Sequence, residues 1–259
     1  MQYRFFKYQG TGNDFVLLDN RNLAFPKEQQ FIERICDRHF GIGADGLMLL
    51  ETAEDFDFKM VYFNSDGRES SMCGNGGRCI SAFARQLDIV KDSGAFLAID
   101  GAHEFSIQRE EISLKMMDVA SIRKEGDDYV LFTGSPHYVA LKEALEEIDL
   151  LNEARKIRYS DAFTSEGINV NFVELKDGKV HMRTYERGVE GETLSCGTGT
   201  VAVALVVALL KKQHDGTVEI LTRGGHLKVC FEKKEDTFTN IWLKGPAKCV
   251  FEGTLTVDE

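Results

Sequence analysis

A short cysteine motif occurs twice in this chain, and the repetition constrains the fold more than any other feature. Cys-Gly-x-Gly stands at residues 73–76 and again at residues 196–199. Each copy comes directly before a segment whose apolar residues have helical spacing. Strand-like segments precede and follow both copies. An internal duplication of this kind predicts two structural units with the same order of elements.

The hydrophobic pattern supports an α+β fold with this duplicated order. The first half has predicted strands at 15–19, 47–51, 58–64, 95–99 and 112–117, with helices at 28–40 and after the first cysteine motif. The second half has predicted strands around Val130 and Val139 and at 169–175, 179–185, 217–221, 227–231 and 241–243, with helices at 150–156 and 201–210. We place the boundary near Asp118, which gives domains of residues 1–118 and 119–259.

Composition and charge narrow the classes of partner. The 259 residues carry a formal net charge of -11, and no cluster of Lys and Arg predicts nucleic-acid binding or a polybasic membrane anchor. The longest apolar run, Val201 to Leu210, is about half the roughly 20 residues that a membrane-spanning helix needs. The N-terminus lacks the apolar stretch of a signal peptide. We therefore expect a cytoplasmic protein with a small-molecule partner and with its six cysteines as thiols.

The chemistry of the repeated motif follows from its place before a helix. The first backbone N–H groups of a helix lack intrahelical partners and attract anions, and glycine lets a ligand approach the backbone closely. A cysteine at this position has its thiolate stabilised and becomes a usable base near neutral pH. Two such thiols on opposite sides of an α-carbon would invert that carbon, one removing and the other returning a proton. This racemisation needs no metal and no pyridoxal cofactor.

Other interpretations of the same residues remain open at this stage. Both cysteines could be small buried residues that tolerate a glycine turn. A dithiol redox or zinc-binding protein could also bring Cys73 and Cys196 together with His137, although Cys-x-x-Cys spacing is absent. Gly41 to Gly46 matches the dinucleotide pattern Gly-x-Gly-x-x-Gly, but it follows a helical segment and precedes a strand, which is the reverse of the required order.

Several longer motifs carry a resemblance to a known family. They are Gly-Thr-Gly-Asn-Asp-Phe at 10–15, Gly-Ile-Gly-Ala-Asp-Gly at 41–46, Asn-Ser-Asp-Gly at 64–67, Met-Cys-Gly-Asn-Gly-Gly-Arg-Cys at 72–79, Tyr-Glu-Arg-Gly at 185–188 and Ser-Cys-Gly-Thr-Gly at 195–199. With these motifs the chain resembles the diaminopimelate epimerase family, in the superfamily of proline racemases and phenazine-biosynthesis isomerases. Asn75 favours the epimerase branch, because proline racemases typically have His there.

The resemblance implies a fold, a reaction and a set of roles. The fold would be two α/β domains related by pseudo-two-fold symmetry, each a curved, mostly antiparallel sheet around a central helix, with the last strand able to return to the first half. The reaction would be cofactor-independent epimerisation of LL-2,6-diaminopimelate to the meso isomer, with no metal. Homodimers are common in the family. Cys73 and Cys196 would be the acid/base pair, assisted by His137 and Glu186.

The resemblance also implies the substrate contacts. The matching residues are Asn13, Asn64, Asn169, Glu186 and Arg187, together with the helix-start amides of Gly74, Asn75, Gly197 and Thr198. The planar guanidinium of Arg187 suits the far carboxylate of diaminopimelate, because it can form a bidentate pair. A racemase acting on proline or hydroxyproline would keep both thiols without needing Arg187 or Asn64. Ser135 departs from the family, which usually has Asn at this position.

Overall fold

The computed structural model of this protein describes residues 1–256, so that residues 257–259 of the predicted second half lie outside the described part. The chain divides into two compact units. The first contains Met1–Leu114 and the C-terminal segment that begins at Gly245. The second contains Lys115–Lys244. Within the described residues, no helix is long and apolar enough to span a membrane.

The first unit is a mixed sheet with two helices. Its elements up to residue 115 are β1 (Gln2–Gly10), β2 (Asn13–Asp19), α1 (Gln29–Cys36), β3 (Gly46–Glu51), β4 (Phe58–Asn64), β5 (Glu69–Ser70), α2 (Gly74–Gln86), β6 (Ser93–Ala98), β7 (Gly101–Gln108) and β8 (Glu111–Lys115). The pairs β1–β2, β3–β4, β6–β7 and β7–β8 are antiparallel, whereas β2–β3 and β4–β6 are parallel. The short β5 pairs with β4.

The second unit repeats this arrangement. Its elements are β9 (Arg123–Glu125), β10 (Asp128–Phe132), β11 (Pro136–Leu141), a 3₁₀ turn (Leu145–Glu147), α3 (Leu150–Arg158), β12 (Asn169–Lys176), β13 (Lys179–Glu186), β14 (Gly191–Thr193), α4 (Gly197–Leu210), β15 (Asp215–Thr222), β16 (Gly225–Lys234) and β17 (Thr237–Pro246). The pairs β10–β11, β12–β13 and β15–β16 are antiparallel, and β11–β12 and β13–β15 are parallel. The alternation of parallel and antiparallel pairs therefore matches the first unit.

The central strands have apolar side chains on both faces because helices cover both. In the first unit, Val16 and Leu18 pack with Ile32 of α1 in one core cluster, while Phe15 and Leu17 of the same strand are also fully buried. In the second unit, α4 is apolar on every side and its residues from Thr200 to Ala208 are buried. A helix that is apolar all round belongs in the core of its unit.

The structure adds strands that the pattern analysis did not predict. The N-terminal segment forms β1, and β18 (Lys248–Thr256) pairs antiparallel with it in the first unit. The predicted helix over 28–40 was too long, since α1 ends at Cys36. The Asp37 side chain accepts hydrogen bonds from the backbone N–H groups of His39 and Phe40, both at 2.7 Å, and so turns the chain. Phe40, counted as part of the helical pattern, is 77% exposed.

Candidate active site

Cys73 stands at the N-cap position of α2 in the first unit. Its backbone is extended, at φ -97° and ψ 133°, and the helix begins at Gly74. The Cys73 Sγ lies 3.6 Å from Oδ1 of Asn13, to which it donates. The Nδ2 of Asn75 also points at this Oδ1, at 3.4 Å. The first unit thus brings together the predicted residues Cys73, Gly74, Asn75 and Asn13.

The orientation of the Asn13 amide is fixed by a charged network behind it. Asn13 Nδ2 donates to Asp45 at 2.5 Å, and Arg38 bridges Asp45 and Asp14, with both contacts at 2.7 Å. The buried Lys7 pairs with Asp14 at 2.7 Å. Burial alone would raise the pKa of Asp14, but the hydrogen bonds from Arg38 and Lys7 prevail and lower it to about 2. Because its Nδ2 faces a carboxylate, Asn13 presents its carbonyl oxygen to the Cys73 thiol.

Asn64 lies at the same end of the sheet as Asn13. Gly46 pairs with Phe15 on one side and with Asn64 on the other, so β2 begins level with the end of β4. The Asn64 side chain is exposed, while its backbone closes the turn to Arg68. A Cβ at Gly46 would come within 2.5 Å of the Phe63 carbonyl oxygen and the Tyr62 ring. This close approach explains the glycine at that position.

Arg78 is a residue of the first unit to which sequence analysis gave no role. Its side chain is fully buried one turn after Cys73. It donates to Asn75 Oδ1 at 3.0 Å, Thr11 Oγ1 at 3.1 Å and the Gly74 carbonyl at 3.2 Å. Burial lowers the pKa of this guanidinium. Arg78 therefore fixes the first turn of α2 through three oxygen acceptors.

Cys196 stands at the corresponding N-cap of α4 in the second unit. Its Sγ accepts a hydrogen bond from the Gly199 backbone N–H at 3.4 Å. The Thr198 hydroxyl lies 3.5 Å from the same sulfur. A Cβ at Gly199 would meet Asn171 Oδ1 at 2.6 Å, so only glycine allows this strand to approach the helix start. Both sulfur contacts are of the kind that stabilises a thiolate.

His137 reaches Cys196 through the hydroxyl of Thr198. Its Nε2 lies 2.9 Å from Thr198 Oγ1, and its Nδ1 lies 3.2 Å from Asn171 Nδ2. Asn171 Nδ2 also donates to the Tyr138 carbonyl, which fixes the amide orientation. The amide nitrogen Nδ2 of Asn171 can only donate, so the Nδ1 atom of His137 accepts and the Nε2 atom of His137 carries the proton. The Nε2–H then donates to Thr198, whose own hydrogen is available to Cys196.

Burial keeps this histidine neutral. The side chain is fully buried, and burial together with the nearby charge of Arg187 lowers the pKa of His137 to about 3. His137 therefore acts as a hydrogen-bond donor to Thr198 and does not take up a proton at neutral pH.

A pH dependence of stability follows from the buried neutral His137. The unfolded chain binds a proton at this residue below about pH 6.5, whereas the native state does so only near pH 3. We expect this group to lower the free energy of unfolding by about 1.4 kcal/mol per pH unit across that window as the pH falls. A His137→Gln variant should lose this contribution to the pH dependence of stability, and the contributions of the carboxylates should remain. Chemical denaturation of both proteins from pH 7 to pH 4 measures it, and equal slopes would refute the buried neutral state.

Arg187 and Asn169 belong to a second polar cluster in the second unit. Asn169 Oδ1 accepts from the Arg187 backbone N–H at 2.9 Å, and Asn169 Nδ2 donates to Ser135 Oγ at 2.9 Å. The exposed Arg187 guanidinium donates to Ser135 Oγ at 3.3 Å and to the Glu166 carbonyl at 2.9 Å. Ser135 thus links Asn169 to Arg187.

Glu186 is the last residue of β13 and is half-buried beside Arg187. Its carbonyl accepts from the Glu190 backbone N–H at 2.8 Å. The second unit thus holds the predicted residues His137, Asn169, Glu186, Arg187, Cys196, Gly197 and Thr198. Sequence analysis missed Asn171, although two asparagines on one face of the buried strand β12 were a signal for it.

The remaining cysteines do not occupy helix N-cap positions. Cys36 and Cys79 are buried thiols, and burial raises the pKa of Cys36 to about 12 and that of Cys79 still further. Cys230 is half-buried on β16, and Cys249 is exposed on β18. Within residues 1–256, no group of three or more His, Cys, Asp or Glu side chains is arranged to hold a metal ion.

Comparison with known proteins identifies the family. The family model described as diaminopimelate epimerase matches residues 5–122 and 129–250. This chain belongs to the diaminopimelate epimerase family. A diaminopimelate epimerase of Flavobacterium psychrophilum is 50% identical over 97% of this chain and 100% of that protein. A diaminopimelate epimerase of Chlorobaculum tepidum is 40% identical over 96% of this chain and 99% of the relative.

Solved structures share the fold of this epimerase-family chain. A phenazine biosynthesis protein of Bacillus anthracis superposes with a TM-score of 0.74 at 17% identity, covering 99% of this chain and 100% of that one. A hydroxyproline epimerase from Agrobacterium vitis gives a TM-score of 0.72 at 12% identity, covering 100% and 93%. The predicted α+β fold of two similar domains is confirmed.

Proposed function

We propose that this chain is an isomerase that converts LL-2,6-diaminopimelate to meso-diaminopimelate without a cofactor, in the formation of lysine and peptidoglycan precursors. The observation that carries the proposal is the full-length similarity to proteins named diaminopimelate epimerase, 50% identical in one case. Both cysteine helix starts are present with their polar partners. The reaction inverts one α-carbon and leaves the rest of the substrate unchanged.

Cys73 and Cys196 serve as the two acid/base groups in this proposal. A thiolate takes the α-proton, and the thiol on the other cysteine gives its proton to the opposite side of the same carbon. Each turnover leaves the two sulfurs with exchanged protonation states, so no external acid or base is consumed. Helix-start amides at Gly74 and Asn75 and at Gly197 and Thr198 stabilise the negative charge that moves onto the substrate carboxylate.

The hydrogen bonds within each unit support different resting states for the two sulfurs. Cys73 donates to the carbonyl oxygen of Asn13, a contact that requires a protonated thiol. Cys196 accepts from the Gly199 N–H, a contact that favours the thiolate. We assign Cys196 as the resting base and Cys73 as the resting acid, with His137 supporting the thiolate through Thr198.

Recognition of the substrate rests on the polar groups around Arg187. The guanidinium is exposed and already oriented by Ser135 and the Glu166 carbonyl. Its fork pairs with the carboxylate farther from the reacting carbon, and Asn13, Asn64, Asn169 and Glu186 contact the rest of the molecule. We place the enzyme in the cytoplasm and propose that it works as a homodimer, as is common in the family.

An assay of three candidate substrates tests the proposal. Purified protein with a thiol reductant should convert LL-diaminopimelate to the meso isomer. Chiral chromatography of the derivatised product measures this conversion. Neither L-proline nor trans-4-hydroxy-L-proline should be racemised under the same conditions. Racemisation of either imino acid, with diaminopimelate unchanged, would refute the assignment and favour the racemase branch.

A further inference from the structure

A turn in the second unit presents Arg187, and one carboxylate holds the turn in place. We propose that Glu190 is a positioning residue that fixes Arg187 for the far carboxylate of the substrate, an inference that rests on the proposed function. Glu190 ties residues 186–191 to the end of α3. It touches neither the cysteines nor His137 in the described contacts, so its role differs from theirs.

The turn itself is built around the left-handed backbone of Glu190. Its φ is +55°, a conformation uncommon for a residue with a side chain. The Glu190 backbone N–H donates to the Glu186 carbonyl at 2.8 Å, closing the loop that contains Arg187. Glu190 Oε1 accepts from the Gly188 N–H at 3.2 Å, so the side chain folds back over the same loop.

Three side chains from outside the turn bind the same carboxylate. Arg158, the last residue of α3, donates to Oε1 at 3.2 Å. The phenols of Tyr159 and Tyr185 both donate to Oε2 at 2.9 Å. Burial, together with the hydrogen bonds around it, raises the pKa of Tyr185 to about 12, so its phenol remains a donor at neutral pH. A carboxylate with this many donors is held in one position.

Arg158 connects this anchor to Arg187. A Cβ on Gly167 would meet Cζ of Arg158 and Cδ of Arg187, each at 2.8 Å, so the two arginine side chains converge on this glycine. Glu190 is the carboxylate that pairs with Arg158 among the described residues. The Arg158 atoms Nε and Nη1 are buried without hydrogen-bond partners. Removing the charge of Glu190 would leave the Arg158 guanidinium uncompensated beside Arg187.

The consequence should appear in substrate affinity more than in the chemical step. Glu190→Gln keeps the size of the side chain and removes its charge. We expect the KM for LL-diaminopimelate to rise about tenfold, which is the effect of losing one charge-assisted hydrogen bond to the substrate. The kcat should stay within about threefold of the wild-type value. The cysteines and their partners remain unchanged. A loss of folding alone would not separate KM from kcat in this way.

Two further variants make the test decisive. Tyr159→Phe removes one donor from Glu190 at a residue that is 51% exposed, so the protein should fold normally and show a KM raised about threefold. Glu153→Gln, on the exposed side of α3, breaks an ion pair with Lys156 and should leave both constants unchanged. Thermal melting of each variant confirms the fold.

The outcomes separate the two proposals. If the wild-type protein is active and the KM values of Glu190→Gln and Tyr159→Phe both lie within twofold of the wild-type value, the positioning role is overturned and the proposed function stands. A fall in kcat at constant KM also overturns it, because it would place Glu190 in the chemical step. A wild-type protein that does not convert diaminopimelate overturns the proposed function and this inference together.

Discussion

Replacement of either Cys73 or Cys196 by alanine is expected to lower kcat for diaminopimelate epimerisation by at least about 10³-fold, because each variant retains only one of the two acid/base groups. In Cys73→Ala the thiolate can still remove a proton, but no thiol delivers one to the opposite side. In Cys196→Ala the resting base is absent. Coupled assays or chiral chromatography in both directions measure the loss.

The control for this prediction is the same substitution at an exposed cysteine. Cys249→Ala removes a thiol of β18 and should leave kcat and KM unchanged. Both active-site variants should melt within a few degrees of wild type, because each loses only one sulfur from a helix N-cap. Substantial epimerase activity in both alanine variants would mean that other groups perform the proton transfers.

Thr198→Val is expected to lower kcat by about 10²-fold, an effect in the range of positioned proton-transfer groups. The Thr198 hydroxyl lies between His137 Nε2 at 2.9 Å and Cys196 Sγ at 3.5 Å. Valine keeps the shape of the side chain but removes the donor to the sulfur and leaves the buried Nε2–H of His137 without its acceptor. With less stabilisation of the thiolate, the acid limb of the pH–rate profile should move to higher pH.

Thr198→Ser is the matched variant for this experiment. It retains the hydroxyl and the backbone N–H and removes only a methyl group, so kcat should stay within about threefold of wild type. Equal activity of the valine and serine variants would show that the hydroxyl takes no part and that His137 does not act through it. The comparison separates the hydroxyl from the helix-start amide of the same residue.

Local sequence predicted much of this structure because its main signals are local. The apolar spacing after each cysteine motif located α2 and α4, and the predicted strand at 58–64 has the bounds of β4. Cys73 and Cys196 stand at the helix N-caps, as their place before the helical segments predicted, and the glycines of each motif form the first turn of the helix. The strand β1 escaped prediction because Arg4 and Lys7 interrupt its aromatic residues, so the segment shows neither a continuous apolar run nor strict alternation, and only one of its two partner strands is a neighbour in sequence.

The surroundings of the candidate catalytic groups could not be predicted in the same way. His137 meets Asn171 because β11 and β12 pair in parallel, with His137 opposite Asn169, and this register depends on the whole sheet. The amide orientation of Asn171 then decides which nitrogen of His137 carries the proton. Likewise, Arg158 and Tyr159 at the end of α3 donate to Glu190 from 32 and 31 residues away in sequence.

The labelling pattern in heavy water tests most directly whether one group removes the α-proton and a separate group delivers the proton that replaces it. LL-diaminopimelate should be incubated in D₂O to low conversion, and product and remaining substrate should be analysed separately by mass spectrometry. We predict one deuterium at the inverted α-carbon of the meso product and none in the recovered LL isomer, because the group that removes the proton returns only that proton. A meso product that retains the original hydrogen, or equal deuterium in substrate and product at the outset, would contradict the two-thiol mechanism.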